Sequence, residues 1–303
     1  MGGCISKGSV FMLEIRNKSE TKLHLTMDEQ IKKVKEVCTM ADAIVIGAGA
    51  GLSNAAGISY VGERFNKNFK DFIDKYGMTD MYTAGFYPFK TEHEKWAYWS
   101  RHILMNRYNA PVGKPYKDLL RLVKNKDYFV ITTNVDAQFY KAGFDNDKIW
   151  AVQGDYGKIQ CSKGCHNTLY DNEKLIRNMS ENQQNCKISD NLVPRCPVCN
   201  GNMEVNIRKD MYFVQDKVWY EAADRYEYFL GKNKKRNIVF LELGVGFNTP
   251  TIIRFPFERY TQVFNNAILV RINLSRAEIP KKIRHKSISI CDDIGNIIPR
   301  LFD

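Results

Sequence analysis

Short apolar blocks separated by amphipathic stretches give this chain an alternating pattern of predicted strands and helices. Apolar runs rich in β-branched residues predict strands at Ala43–Ile46, Tyr128–Thr132, Trp150–Val152, Ile238–Leu243, Ala267–Ile272 and Ser287–Ile290. Helical spacing of apolar residues predicts helices at Asp28–Met40, Pro115–Val123 and Trp219–Leu230, and another helix is expected to open at Ser53–Gly57. The alternation favours an α/β fold, with a Rossmann-like, mostly parallel sheet and helices on both faces.

Two stretches interrupt this alternation and define the predicted domains. Residues 60–110 are rich in aromatic rings and predict a helical insertion, whereas residues 156–209 carry paired cysteines and predict a small separate lobe. The predicted division is therefore an N-terminal lead-in at 1–27, a dinucleotide-binding domain formed by 28–155 and 210–303, and a zinc-binding lobe at 156–209.

The composition indicates a globular protein but does not indicate which reaction or ligand it serves. The 303 residues are 44% hydrophobic and 26% charged, which is typical of a globular protein, and no run of 18 apolar residues or secretory leader is seen. We therefore expect a cytoplasmic protein without membrane association. The formal net charge of +11 serves solubility alone or attracts an acidic partner or a polyanionic cofactor. The short basic runs Lys232–Arg236 and Lys281–Lys286 lack interleaved aromatic residues, so no nucleic-acid binding is expected.

The first six residues match a lipidation pattern. Met1-Gly2-Gly3-Cys4-Ile5-Ser6 fits the N-myristoylation consensus, and Cys4 is then a candidate for a second lipid. The pattern has meaning only in a eukaryotic cell, and translation starting at Met12 is an alternative.

Four of the eight cysteines have the spacing of a metal site. Cys161 and Cys165 form one pair, and Cys196 and Cys199 form another after a gap of 30 residues. Four thiolates complete the tetrahedral shell of zinc and leave no open position, so we expect one structural zinc ion per chain. His166 adjoins the first pair, but the cysteine set is complete without it. The absence of a leader and this spacing favour zinc in a reducing compartment over disulfides.

Polar and glycine-rich segments follow nearly every predicted strand. They are the loop Gly47–Gly57, the run Thr132–Asp136, Gln153-Gly154, the segment 244–250, Asn273-Leu274 and the segment 292–294. Because ligands of parallel sheets bind beyond the carboxyl ends of the strands, this placement predicts a nucleotide cleft. Two alternatives stay open: the glycines serve as a plain tight turn, and Asn134 and Asp136 are turn formers.

The glycine loop, the Thr-Thr-Asn-Val-Asp run at Thr132–Asp136 and the four cysteines together resemble the sirtuin family of NAD-consuming protein deacylases. The resemblance spans residues 28–303 and implies a Rossmann-like fold, NAD as co-substrate and a structural zinc ion. It also implies that Asn134 and Asp136 seat the nicotinamide and its ribose. The positions that match the cofactor-binding segments of the family are Gly49, Ala50, Gly51, Ser53, Tyr60, Arg64, Gly244, Val245, Gly246, Phe247, Asn273, Leu274, Asp293 and Ile294.

Three departures from the family pattern stand out. Gln153 replaces the catalytic histidine of the family, and glutamine cannot take up a proton near neutral pH. Ser59–Gly62 replaces Pro-Asp-Phe-Arg, with Arg64 and Phe65 as nearby substitutes. Tyr212–Asp216 replaces the region of Phe-Gly-Glu, which places pairing with an acyl-lysine peptide strand in doubt.

These departures are similar to those of the macrodomain-linked, class M sirtuins, which implies a protein ADP-ribosyltransferase with Asn134, Asp136 and Gln153 as catalytic residues. The group implies an acidic acceptor side chain on a lipoylated carrier protein of the glycine-cleavage-H type, a functional link to a macrodomain hydrolase, and a role in oxidative stress. A carboxylate acceptor needs no base because it is already ionised at pH 7. The alternatives are a weak NAD-dependent deacylase and a non-catalytic NAD sensor or scaffold.

Overall fold

The computed structural model describes residues 25–302. The lipidation pattern at Met1–Ser6 and all but the end of the predicted lead-in lie outside these residues. Within them, no helix combines the length and the hydropathy that crossing a bilayer requires.

Nine strands in residues 25–302 form two sheets. They are β1 Ala43–Ala48, β2 Asp127–Thr132, β3 Ile149–Ala151, β4 Gly154–Cys161, β5 Tyr170–Asp171, β6 Met203–Ile207, β7 Ile238–Leu243, β8 Ala267–Ile272 and β9 Ser287–Ile290. The main sheet has the order β3-β2-β1-β7-β8-β9, and every pair in it is parallel. The chain reverses its direction of growth between β1 and β7, which is the switch point where such folds bind ligands.

Helices cover both faces of the main sheet. The α-helices are α1 Met27–Met40, α2 Ala50–Ala55, α3 Glu63–Asn68, α4 Lys70–Tyr76, α5 Met81–Ala84, α6 Glu92–Ile103, α7 Lys114–Val123, α8 Gln138–Ala142, α9 Glu173–Glu181, α10 Lys217–Asn233, α11 Arg254–Val263 and α12 Ile294–Ile297. Successive residues of β1 enter different cores: Ile44 and Ile46 pack with α1 and α7, whereas Val45 packs with α10 and α11. The predicted α/β class is confirmed by this parallel sheet with helices on both faces. Its strands could be recognised in the sequence because a strand buried on both faces is apolar throughout.

The prediction that a helix opens at Ser53–Gly57 is wrong. The helix α2 begins at Ala50, after Gly49 in an extended conformation, and ends at Ala55. The strand β1 runs through Gly47 and Ala48 because both residues pair with β2 on one side and β7 on the other. Tertiary pairing thus moves the strand end into the glycine run, and the helix starts immediately after it.

A second core joins the two stretches that interrupt the alternation. Side chains of α6, including Trp96 and Tyr98, pack in one cluster with Met179 of α9 and Val205 of β6. The helical insertion and the cysteine-bearing segment therefore share their buried surface. The division of the chain into domains drawn from the sequence stays a prediction.

A buried charge cluster ties the sheet to α11. The Arg271 guanidinium donates to both oxygens of Glu242 at 2.8 Å and to Glu258 Oε1 at 2.8 Å, and neither Arg271 nor Glu242 is exposed to solvent. Burial raises the pKa of Glu242, while its pairing with Arg271 opposes that shift. Arg254, 3.6 Å from Glu242, also favours the ionised carboxylate.

We expect replacement of Arg271 by leucine to lower the free energy of unfolding by about 3–5 kcal/mol, because it removes both hydrogen bonds to the buried Glu242 carboxylate and leaves only the longer ion pair with Arg254, at 3.6 Å. Urea unfolding followed by circular dichroism measures this change. Lys70→Ala, which removes an exposed ion pair with Asp74, is the matched control and should leave the curve unchanged. Equal midpoints for the two variants would contradict the assignment.

Candidate functional site

The candidate residues meet at one edge of the main sheet. Strands β1, β2, β3, β7, β8 and β9 are parallel neighbours, so the segments that follow them emerge on the same side. These segments are the ones that the sequence singles out. The edge therefore forms one candidate active site around the β1–β7 switch point.

Three glycines allow the loops after β1 and β7 to touch. A Cβ on Gly49 would lie 2.7 Å from Gly244 O, and one on Gly51 would lie 2.7 Å from Gly244 Cα. Gly244 has φ +60°, and Gly51 N donates to its carbonyl at 3.0 Å. No other residue fits these positions, so close backbone packing alone explains the glycines. A contact between these glycines and a pyrophosphate stays a prediction.

The predicted reactive-end residues lie in one hydrogen-bonded group. Ser53 Oγ lies 2.5 Å from Asp136 Oδ2 and 3.0 Å from the hydroxyl of Tyr116, on α7. Asn134 Nδ2 lies 2.9 Å from Gly49 O and 3.3 Å from the same hydroxyl. The structure therefore brings together Ser53, Asn134 and Asp136, which the sequence predicts, and adds Tyr116. Tyr116 lies on the apolar side of its helix, where sequence alone assigns it to the core.

The Asp136 carboxyl is deeply buried. Burial raises its pKa above the usual value, and the hydrogen bonds from Ser53 and the Gln138 backbone oppose this shift. The backbone N–H of Gln138 donates to Asp136 Oδ1 at 3.1 Å, so both carboxylate oxygens are held. A carboxylate fixed in this way stabilises positive charge that develops nearby.

Gln153 lies between β3 and β4 and contacts the loop after β7. Its side-chain Nε2 donates to Thr249 Oγ1 at 3.3 Å, and its backbone carbonyl accepts from the backbone N–H of Arg208 at 3.0 Å. The neighbouring Gly154 has φ +98°, and a Cβ there would lie 2.0 Å from Asn206 O. The position of Gln153 is therefore set by backbone that only glycine permits.

No described side chain near Gln153 takes over the role of a base. Asp155 accepts from Arg107 Nε at 2.8 Å and from Gly157 N at 2.7 Å, so the carboxylate is engaged. His102 is buried, and burial lowers its pKa to about 3. Its ring is packed against the rings of Tyr60, Tyr98, Trp99 and Tyr156.

The other described imidazoles belong to other surroundings. His93 Nε2 lies 2.5 Å from Asp190, His166 lies beside Cys165, and His285 belongs to a 3₁₀ turn at Lys281–Lys286. Within residues 25–302, no histidine is hydrogen-bonded to Asn134, Asp136 or Gln153.

The altered loop Ser59–Gly62 is held by hydrogen bonds with Arg64 and Tyr156. Arg64 donates to Ser59 O at 3.0 Å and to Asn106 Oδ1 at 2.7 Å, and the Tyr60 hydroxyl lies 2.9 Å from that of Tyr156. Phe65 is fully buried in the second core. Arg64 thus orders the loop, whereas Phe65 is a packing residue.

The predicted adenosine side is assembled from loop contacts. Asn273 Nδ2 donates to Val245 O at 3.0 Å, so the loops after β7 and β8 are tied together. Phe247 is half exposed and lies against the guanidinium groups of Arg254 and Arg276. The remaining predicted positions are distributed as follows: Ala50, Gly246 and Leu274 are exposed, Asp293 caps α12, and Ile294 is a core residue.

The segment Tyr212–Asp216 is anchored at Val214. There the backbone N–H donates to Gln160 Oε1 at 2.9 Å, and the carbonyl accepts from Asn206 Nδ2 at 3.0 Å. These two backbone groups of Val214 are therefore not available to an added strand.

The four predicted ligands converge on a metal-sized centre. The sulfur atoms of Cys161, Cys165, Cys196 and Cys199 lie within 4.8 Å of one another, and two pairs are 3.6 and 3.7 Å apart. Tetrahedral zinc with four thiolates requires a separation of about 3.8 Å. Burial opposes ionisation of Cys161, yet backbone N–H groups lower its pKa to about 6, which favours the thiolate. These residues fit a structural zinc ion, which would link β4 to the segment before β6.

Sequence comparisons place the chain among named relatives. A family model described as the Sir2 family matches residues 49–235. A Staphylococcus aureus protein named "Protein ADP-ribosyltransferase" is 41% identical over 280 residues, which cover 91% of this chain and 89% of that protein. A Fusarium oxysporum f. sp. cubense protein named "Probable bifunctional ADP-ribose hydrolase/ADP-ribosyltransferase" is 30% identical over 302 residues, and the match covers 94% of this chain but 50% of the fungal protein.

Solved structures share the fold. Sir2Tm bound to a propionylated peptide matches with a TM-score of 0.56 and 19% identity, covering 90% of this chain and 97% of that chain. A complex described as Sir2, p53 peptide and NAD+ matches with a TM-score of 0.57 and 18% identity, with the same coverage of 90% and 97%. At this identity the likeness concerns the fold alone.

We expect removal of zinc to destabilise the second core, because Cys161 and Cys196 belong to it. A strong chelator, or Cys196→Ser, should lower the melting temperature and expose the 156–209 segment to protease. Metal content and melting are measured on the same samples. Cys291→Ser, an exposed cysteine outside the cluster, is the matched control. Metal-free protein with an unchanged melting temperature would refute the assignment.

Proposed function

The chain belongs to the Sir2 family, and from that premise we propose that it transfers ADP-ribose from NAD to an acidic side chain of a carrier protein. The family and the two named relatives support an NAD-dependent protein ADP-ribosyltransferase. The acceptor is the finer part of the proposal. It rests on the chemistry of the site and on the charge of the chain.

The observation that carries the proposal is the state of Gln153. The amide is hydrogen-bonded to Thr249 and has no proton-accepting nitrogen, and Asp155 beside it is engaged by Arg107. Removal of an acyl group by this family fold requires a base for a ribose hydroxyl. Transfer to a carboxylate requires none, since the acceptor is already ionised.

The residues of the chain serve the two halves of the transfer. Asp136 stabilises positive charge as the bond between C1′ of the ribose and nicotinamide lengthens, and Asn134 orients the sugar beside it. Nicotinamide leaves as a neutral molecule, because the electron pair of the broken bond neutralises its ring nitrogen. A carboxylate oxygen of the acceptor forms the new bond to C1′ and produces an ADP-ribosyl ester.

Charge and relatives support the choice of acceptor and of a reversing enzyme. A net charge of +11 suits an acidic carrier such as a lipoylated protein of the glycine-cleavage-H type. The fungal relative is about twice as long as the match, and its printed name adds ADP-ribose hydrolase activity. A hydrolase that removes the mark fits a regulated modification.

The decisive experiment combines the purified protein with labelled NAD and the carrier protein in lipoylated and unlipoylated forms. We expect label on the lipoylated carrier, stoichiometric nicotinamide release and loss of the label in neutral hydroxylamine, which cleaves the ester. Mass spectrometry of a parallel reaction with an acetylated peptide should show no O-acyl-ADP-ribose. O-acyl-ADP-ribose at comparable rates would favour the deacylase instead. NAD binding without nicotinamide release in any cellular lysate would favour a sensor.

We expect Asn134→Ala to abolish both nicotinamide release and transfer, because it removes the amide that is held beside Gly49. Chromatography of nicotinamide and label on the carrier are the two readouts. Asn296→Ala, an exposed asparagine on α12, is the control and should retain full rates. Full transfer by the Asn134 variant would remove this residue from the mechanism.

A further inference from the structure

A chain of four polar groups connects the two residues at the predicted reactive end. It runs from the Asn134 amide through the Tyr116 hydroxyl and the Ser53 hydroxyl to the Asp136 carboxylate, with separations of 3.3, 3.0 and 2.5 Å. The groups come from three parts of the sheet edge: the segment after β2, the helix α7 and the helix α2.

The groups at the ends determine which atom donates at each step. A backbone carbonyl can only accept, so the Asn134 atom that lies 2.9 Å from Gly49 O must be its nitrogen. An ionised carboxylate can only accept as well, so Ser53 donates its single hydrogen to Asp136.

The middle of the chain then has one consistent arrangement. Ser53 has no hydrogen left for Tyr116, so the Tyr116 hydroxyl donates to Ser53 and accepts from Asn134 Nδ2. Both hydrogens of Asn134 Nδ2 are used, on Gly49 O and on Tyr116. Asn134 Oδ1 has no partner within residues 25–302 and is the only side-chain atom of Asn134 left for a sugar hydroxyl or water.

We propose that Tyr116 is a positioning residue whose hydroxyl orients the Asn134 amide toward the co-substrate and strengthens the hydrogen bond from Ser53 to Asp136. The proposal rests on the function inferred above and adds to it a residue that the family motifs do not single out. Donors in a chain polarise one another, so a hydroxyl that receives a hydrogen bond donates a stronger one.

The surroundings of Tyr116 suit this role. The residue is fully buried, and its ring lies edge to face with Phe139 at 4.9 Å. Gln138 accepts from Gly113 N at 2.9 Å and donates to Pro111 O at 3.1 Å, which secures the start of α7. The hydroxyl is therefore held in place by packing that a phenylalanine would preserve.

The pKa of the Asp136 carboxyl reports on this row of hydrogen bonds without requiring turnover. Other charged and titratable groups act on it as well: Arg107 and Asp155 shift its pKa directly, and Tyr60, Tyr116, Lys141 and Tyr156 interact with its charge. Tyr116→Phe leaves Arg107, Asp155, Tyr60, Lys141 and Tyr156 in place. Loss of the hydroxyl weakens the bond from Ser53, so the pKa of Asp136 should rise.

The first measurement is steady-state nicotinamide release by Tyr116→Phe. We expect kcat to fall about tenfold or more, with KM for NAD within about twofold of the wild type, because the Tyr116 hydroxyl is fully buried and already occupied by Ser53 and Asn134. Tyr226→Phe is the matched control: it also removes a buried hydroxyl, but one that has no partner in the described residues. It should keep wild-type kcat and KM.

The second measurement is the ¹³C-carboxyl titration of Asp136 in the protein without NAD. Its midpoint should move to higher pH in Tyr116→Phe and stay in place in Tyr226→Phe. In Ser53→Ala the midpoint should rise further, and adding Tyr116→Phe to that variant should add little, because the Tyr116 hydroxyl is hydrogen-bonded to Ser53 and not to Asp136.

The two measurements separate the proposal from the function on which it rests. An unchanged Asp136 midpoint in Tyr116→Phe, or equal kcat for Tyr116→Phe and wild type, would overturn the role of Tyr116. If the wild type releases no nicotinamide with any acceptor, the proposed function is wrong. The titration still decides whether the Tyr116 hydroxyl strengthens the hydrogen bond from Ser53 to Asp136.

Discussion

The reactive end of this site depends on the contact between the backbones of Gly51 and Gly244. The two segments approach until a Cβ on either glycine would lie 2.5 to 2.7 Å from atoms of the other. This approach lets α2 begin directly after β1 and places Ser53 within reach of Asp136. A larger side chain at either glycine would separate α2 from the loop after β7 and displace Ser53 from the hydrogen-bonded group. Backbone packing is thus the constraint that precedes any contact with a co-substrate.

The polar groups at the end of β2 are hydrogen-bonded to one another and to their immediate neighbours. Burial of Asp136 is unfavourable for a charge, and Ser53 and the Gln138 backbone compensate for it. The bonds of Asn134 to Gly49 and Tyr116 use its nitrogen, so among the described residues its side-chain oxygen has no partner. A site organised in this way is built before the co-substrate arrives, which reduces the reorganisation needed during bond cleavage.

Gln153 changes what such a site can do after the glycosidic bond breaks. Its amide is tied to Thr249 across the cleft, and the strand edge at Val214 is already paired by Gln160 and Asn206. The first feature withholds a base from the removal of acyl groups, and the second takes the backbone groups of Val214 out of use for strand pairing. Transfer to a carboxylate of a folded protein needs neither of them.

Local sequence was sufficient for the sheet, for the cysteine cluster and for the order of the candidate segments. A strand buried on both faces is apolar throughout, and four cysteines with knuckle spacing have few other uses, so both signals are local. The sequence places the start of α2 too late because β1 is extended by pairing with β2 and β7, which are distant in sequence. Tyr116 could not be recognised because a buried aromatic ring on an amphipathic helix is typical of a core residue. Only the tertiary structure decided that its hydroxyl meets Ser53 and Asn134, since hydrogen-bond direction depends on atoms brought together from separate strands and helices.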